Sequence, residues 1–120
     1  MTSPQLAPAR PRKYRNTPTD LDGIRFASKA EARRYAELKL LVRAGAITDL
    51  ELQKRYALGA FDGSTLCTYV ADFDYIDTSN GHHITEDVKS PATANNRTFR
   101  LKAKLFKAQY GRDIVIVRAR

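Results

Sequence analysis

Apolar residues follow a helical period in two stretches of the chain. The first predicted helix runs from Lys29 to Ala44, with Tyr35, Leu38 and Val42 on one stripe and Gly45 just after it. Ser28 followed by Glu31 forms a capping-box pattern at its start. Glu31 also begins the inward stripe, so a second role beside capping stays open.

The second helix is predicted from about Asn96 to Tyr110, before Gly111. Its apolar stripe is Phe99, Ala103, Phe106 and Tyr110. Another face carries the basic residues Arg97, Arg100, Lys104 and Lys107. A charge run is usually just a solvated face, but like charges at this spacing repel by a few tenths of a kcal/mol per pair. With no acid to relieve them, a surface facing nucleic-acid phosphates is the favoured interpretation.

Alternating and continuous apolar runs predict the strands. Residues 47–58 form the first, and the stretch Thr65 to Pro91 forms a hairpin around Asn80-Gly81, a strong turn signal. Residues 113–117 are apolar enough for a strand covered on both faces, whereas 21–26 should be extended and 90–96 a loop. The predicted class is α/β, a central mixed four-stranded sheet flanked by helices in the order α-β-β-β-α-β.

The hairpin brings acids together. If Asn80-Gly81 is the loop, Asp72 lies opposite Lys89 and Asp74 lies opposite Asp87. These four would share one face, while the other face packs through Tyr69, Phe73, Tyr75 and Val88. A polar hairpin face in water is the plain alternative. Facing carboxylates repel unless a cation lies among them, and oxygen ligands suit magnesium or manganese.

Composition narrows the class of protein. The 120 residues fit one domain, with a proline-rich basic arm over residues 1–18 and a folded unit over 19–120. The net charge of +8 suggests a polyanionic partner. We expect a soluble chain, since no apolar run could cross a membrane, and a buried, reduced Cys67 favours a cytosolic setting.

Other polar residues are weaker candidates for a functional site. His82 and His83 fall in the turn, where exposed residues are a better interpretation than a catalytic base. Asp74 could be a ligand, a supporting group or a surface acid, and Gln53 reaches the site only if its strand pairs beside the hairpin. Glu86 competes with Asp87, but alternation places it on the opposite face.

Three sequence blocks together carry a family resemblance. The first block is Phe26 to Tyr35 and contains Glu31, and the second is Val70 to Phe73 and contains Asp72. The third is Glu86-Asp87-Val88-Lys89, which contains Asp87 and Lys89. They resemble the PD-(D/E)XK nuclease superfamily and, within it, a small phage and prophage family called domain of unknown function 1064. Ala71 stands where that motif often has proline.

The resemblance implies a restriction-endonuclease-like fold and a DNA endonuclease that uses Mg²⁺ or Mn²⁺. Asp72, Asp87 and the Val88 carbonyl would bind the cation, Glu31 would complete its ligands, and Lys89 would orient water or stabilise the scissile phosphate. Since Lys89 lies among acids it should stay protonated, which favours the second role.

The same resemblance suggests structure-selective or low-specificity cleavage, with branched DNA as one substrate, by a homodimer in the cytoplasm of a bacterial host. Two other hypotheses use the same residues. A noncatalytic nucleic-acid-binding protein would need only the basic helix and arm, and a module for phage assembly would leave the basic helix face without a purpose.

Overall fold

A computed structural model describes residues 17–60 and 62–119, and the predicted arm over 1–18 lies almost wholly outside them. The protein is α/β, with a mixed four-stranded sheet, helices and a small additional hairpin. Its elements in chain order are β1 (Thr19–Leu21), β2 (Ile24–Phe26), α1 (Lys29–Arg43), β3 (Ile47–Gly59), β4 (Thr65–Asp77), β5 (His83–Lys89), α2 (Pro91–Ala94), α3 (Arg97–Tyr110) and β6 (Val115–Arg118).

Helix α1 begins and ends close to where the sequence predicts. The Ser28 hydroxyl accepts a hydrogen bond from the Glu31 backbone N–H at 3.1 Å, which satisfies one free donor of the first turn. Tyr35 and Leu38 are buried as predicted, but Val42 is 41% exposed. The prediction that Val42 continues the buried stripe is therefore wrong, because the last turn of α1 extends beyond the core.

The segment before α1 is more regular than expected. Strands β1 and β2 pair antiparallel through a two-residue turn, Asp22-Gly23, in which both residues have positive φ. Asp followed by Gly is the sequence signal for such a turn. Asp22 also accepts hydrogen bonds from Tyr35 and Lys39, so the hairpin is attached to α1.

The sheet order is β3-β4-β5-β6, with β5 and β6 parallel and the other neighbours antiparallel. The predicted hairpin is present, but its register is shifted by two residues, since Asp74 pairs with Thr85 rather than with Asp87. The connection is longer than Asn80-Gly81, because the Asp77 N–H donates to the His82 carbonyl across it. A shift of two keeps each residue on its own face.

Strands β3 and β4 both change faces near their middle. Leu52 pairs with Phe73 in the core cluster under α1, whereas Tyr56 pairs with Tyr69 in the cluster under α3. In a regular strand, residues four apart share a face. Gln53 lies just before the reversal with φ of 54°, a conformation that breaks the alternation.

This reversal corrects the predicted faces of the hairpin. Tyr69 does not share a face with Phe73 and Tyr75, because its ring contacts Phe106 of α3 instead. The sheet therefore packs helices on both sides, and neither face of the hairpin is a purely charged one.

Two further predictions at the C-terminal end are wrong. Residues 90–96 are not all loop, because Ser90 and Thr93 cap a short helix, α2, that begins at Pro91. Strand β6 is not covered on both faces, since Val115 and Ile116 are 43% and 38% exposed. It is an edge strand whose partner within residues 17–60 and 62–119 is β5.

Phe106 is the side chain of α3 on which the second core cluster depends. It is fully buried and contacts the rings of Tyr56, Tyr69 and Tyr110. We expect Phe106→Ala to lower the free energy of unfolding by about 3–5 kcal/mol, because it removes a fully buried ring and leaves a cavity among the neighbouring rings. Urea titration followed by circular dichroism measures it.

The matched control lies on the same helix. Leu101 is 59% exposed, so Leu101→Ala should change the free energy of unfolding by less than about 0.5 kcal/mol. Equal losses in the two variants would contradict the packing of α3 described above.

Candidate functional site

The candidate site lies where β4 and β5 separate. The last backbone pair before the separation is Phe73 with Glu86. Beyond it, the Val88 N–H donates to the Asp72 carboxylate at 2.8 Å instead of to a backbone carbonyl of β4. Asp72 is half-buried and Asp87 is buried. The separation therefore lets the Asp72 carboxylate lie between the two strands, next to Asp87.

Asp87 is held by one hydrogen bond and one ion pair. Tyr69 donates its hydroxyl to Asp87 Oδ2 at 2.6 Å, and Lys89 Nζ lies 3.3 Å from Asp87 Oδ1. The Lys89 ammonium also lies 4.5 Å from the centre of the Phe99 ring, which fixes its direction by a cation–π contact. Lys89 is thereby placed at the start of α3.

Glu31 reaches the same place from the first turn of α1. Burial and repulsion from Asp87 raise the pKa of Glu31, while the Lys89 charge and the Ala27 backbone N–H partly offset that rise. The Glu31 carboxylate therefore interacts electrostatically with Asp87 and Lys89. Its side chain is half-buried and is more than a cap at the helix end.

Asp72 has the strongest electrostatic perturbation of the carboxylates. Burial, then repulsion from Asp87 and Glu31, raises the pKa of Asp72 to about 8, although the Val88 N–H acts in the opposite direction. The three acids thus interact electrostatically, and Lys89 is the cation paired with Asp87.

Glu86 is committed elsewhere, as its place on the alternating strand predicts. Its carboxylate accepts two hydrogen bonds from Arg34, at 2.9 and 2.7 Å, and one from the Tyr75 hydroxyl. Arg34 lies three residues after Glu31 on α1 and was not singled out from the sequence. The signal for it would have been an arginine on the inward side of a helix.

Asp74 does not join the other acids. It is buried in a separate network, where it accepts from Tyr56, His83 and Thr85. Arg112 supports that network by donating to Tyr56 and Thr85, at 2.9 and 3.0 Å. Asp74 is therefore a supporting group of the sheet: it keeps the predicted face, opposite Phe73 and Tyr75, but belongs to a different hydrogen-bond network from Asp87.

His83 corrects another prediction. It is exposed, as predicted, but it is the first residue of β5, paired with Ile76, rather than a turn residue, and its ring contacts Asp74. His82 lies in the connection, as predicted. Gln53 is exposed and contributes through its backbone, which reverses the alternation of β3 at the level of Asp72.

The basic face of α3 is exposed along its length through Arg97, Arg100, Lys104 and Lys107. One of the four is relieved by an acid, contrary to the prediction, because Lys107 Nζ lies 2.9 Å from Asp113 Oδ2. Phe99 lies on the apolar stripe of the first turn and contacts Lys89, so the start of α3 lies beside the candidate site.

The donors at the site suit a hard divalent cation, since Glu31, Asp72 and Asp87 offer carboxylate oxygens beside a single lysine. Their mutual repulsion is the electrostatic condition that a cation relieves. In the described part of the chain, no three His, Cys, Asp or Glu side chains stand in a ready-made metal-binding arrangement. The fit therefore rests on the chemistry of the donors.

Comparison with known families places the chain. A family model described as "Protein of unknown function (DUF1064)" matches residues 11–119, so the chain belongs to that family, as the three sequence blocks predict. Searches of curated proteins and of solved structures found no match. Among the described residues, no helix is both long and apolar enough to cross a membrane.

The raised pKa of Asp72 predicts how stability depends on pH in the presence of a chelator. Between its ordinary pKa of 3.8 and about 8, the folded protein keeps a proton that the unfolded chain has lost. The free energy of unfolding should therefore fall as pH rises through that range, by at most about 1.4 kcal/mol per pH unit. Urea titrations at pH 5.5 and 8 measure the difference.

Asp72→Asn is the control, because an amide keeps the size and cannot ionise. In this variant the fall in stability between pH 5.5 and 8 should be clearly smaller. An identical pH dependence in the two proteins would show that Asp72 is not the source of the effect.

Proposed function

We propose that the chain is a divalent-metal-dependent endonuclease that cleaves DNA, with a restriction-endonuclease-like fold of the PD-(D/E)XK type. The observation that carries the proposal is the meeting of Glu31, Asp72, Asp87 and Lys89 where β4 and β5 separate. Separate elements supply these side chains, and structural packing alone gives no reason to gather three acids there.

Each residue then has a distinct role. Asp72 and Asp87, with the Val88 carbonyl, hold Mg²⁺ or Mn²⁺, and Glu31 completes the ligands directly or through water. A cation held by these residues would supply a nucleophilic water and would neutralise charge on the phosphate. Lys89, directed by Asp87 and Phe99, stabilises the charge that develops on the scissile phosphate as the P–O bond breaks.

The basic face of α3 supports a polyanionic substrate. It starts beside Lys89 and presents exposed cations that can bind successive phosphates. Phosphate contacts do not read sequence, and the domain leaves little room for a separate reading module. Structure-selective or low-specificity cleavage by a cytoplasmic, phage-encoded homodimer, with branched DNA among its substrates, completes the proposal.

A noncatalytic nucleic-acid-binding protein is the second candidate. The exposed basic face of α3 favours it, because that face needs no metal to bind phosphate. The two functions differ in their need for metal. A binder holds DNA equally well in a chelator, and it has no cleavage activity that replacement of its acids could reduce.

Cleavage of linear duplex, single strand, flap and four-way junction DNA, with Mg²⁺, Mn²⁺ or a chelator, tests the enzyme. We expect metal-dependent cutting, reduced by about 100-fold or more in Asp87→Asn and in Lys89→Ala, because each removes charge that stabilises the transition state. Gel analysis of end-labelled substrates gives the rates, and the panel ranks the substrates.

The control replaces another acid in the same way. Asp49 is an exposed residue of β3, and asparagine tolerates the positive φ at that position. The Asp49→Asn protein should therefore cut at the rate of the unsubstituted protein. No cutting under any condition, with binding intact in the chelator, would favour the noncatalytic binder.

Substitutions on α3 test the substrate surface. Arg100→Gln and Lys104→Gln should each weaken DNA binding and reduce the slope of log K against log salt by about 1, since each removes a phosphate contact. Fluorescence anisotropy over a range of salt concentrations measures both quantities.

Arg43→Gln gives the matched control, because it changes net charge equally. Arg43 lies in the last turn of α1, a helix that packs on the other core cluster. It should leave the salt slope unchanged. An equal effect of all three substitutions would mean that only net charge matters and would remove α3 as the binding face.

A further inference from the structure

The geometry points to Arg34 and Glu86 as positioning residues that hold Glu31 in the candidate metal site. This inference rests on the proposed metal site. Arg34 lies one turn after Glu31 on α1, and Glu86 precedes Asp87 on β5. The pair that joins them therefore lies one residue away from Asp87 on the strand and one turn from Glu31 on the helix.

The pair is built for fixed geometry. Arg34 Nε donates to Glu86 Oε1 at 2.9 Å and Nη2 donates to Oε2 at 2.7 Å, so the two planar groups meet through two parallel bonds. Glu86 is 1% exposed, and its second oxygen also accepts from Tyr75. Glu37 accepts from Arg34 Nη1 at 2.9 Å and limits the guanidinium further.

This pair has a particular position in the fold. In the part of the chain that the structure describes, it makes every side-chain hydrogen bond between α1 and β5. Glu31 lies one turn before Arg34 on the same helix, and Asp87 follows Glu86 on the same strand. The attraction between Arg34 and Glu86 therefore holds the start of α1 against β5 and positions Glu31 to serve as a ligand.

A double-mutant cycle in Mn²⁺ affinity, measured by titration calorimetry without DNA, tests the role. Arg34→Met keeps the apolar length of the side chain and should weaken Mn²⁺ binding by about tenfold, as removal of a ligand-orienting group does. The same substitution in a Glu31→Gln background should cause no further loss, because Glu31 is the ligand through which Arg34 acts.

Two other variants keep the test sharp. Arg33→Met changes the neighbouring exposed arginine of α1 and should leave Mn²⁺ affinity unchanged. Glu86→Gln removes the charge with almost no change of size, and it serves as a second version if Arg34→Met does not fold. Circular dichroism of each variant verifies folding.

The outcomes separate the two proposals. If the unsubstituted protein does not bind Mn²⁺, the metal site is wrong and the positioning role is wrong with it. If it binds Mn²⁺ and folded Arg34→Met or Glu86→Gln binds equally well, only the positioning role is wrong. An equal loss in the Glu31→Gln background would also overturn that role, because Arg34 would then act independently of Glu31.

Discussion

Repulsion among Glu31, Asp72 and Asp87 is the constraint on which the arrangement of the site depends. Burial first, and then repulsion from the neighbouring acids, raises the pKa of Glu31 and of Asp72. The surrounding structure holds them in place nonetheless. The Val88 N–H and the Tyr69 hydroxyl each hold one carboxylate, and Lys89 adds the balancing charge.

The sheet makes this grouping feasible through two local departures from regular pairing. Strands β4 and β5 stop pairing beyond Phe73 and Glu86, which gives the Asp72 side chain access to a backbone N–H. At the same level, the alternation of side chains reverses in both β3 and β4. Tyr69 therefore points toward Asp87 while Phe73 packs under α1. Irregular backbone next to a polar cluster is common at functional sites.

Burial sorts the remaining acids of the hairpin into supporting roles. Glu86 and Asp74 are both almost inaccessible, and each has its hydrogen-bonding capacity taken up by neighbours, Glu86 by Arg34 and Tyr75. Asp74 is satisfied by donors on three sides. A buried carboxylate with full partners stabilises geometry, whereas one crowded by other carboxylates invites a cation.

The sequence by itself determined both long helices, the hairpin and the order of the acidic motif, because caps, periodicity and turn residues are local signals. It also singled out Glu31, Asp72, Asp87 and Lys89 as the candidate site. Only the tertiary structure decided the hairpin register, the separate place of Asp74, the exposure of β6 and the Arg34–Glu86 pair. Those depend on a longer connection, on the reversal at Gln53 and on contacts between distant segments, none of which a local pattern encodes.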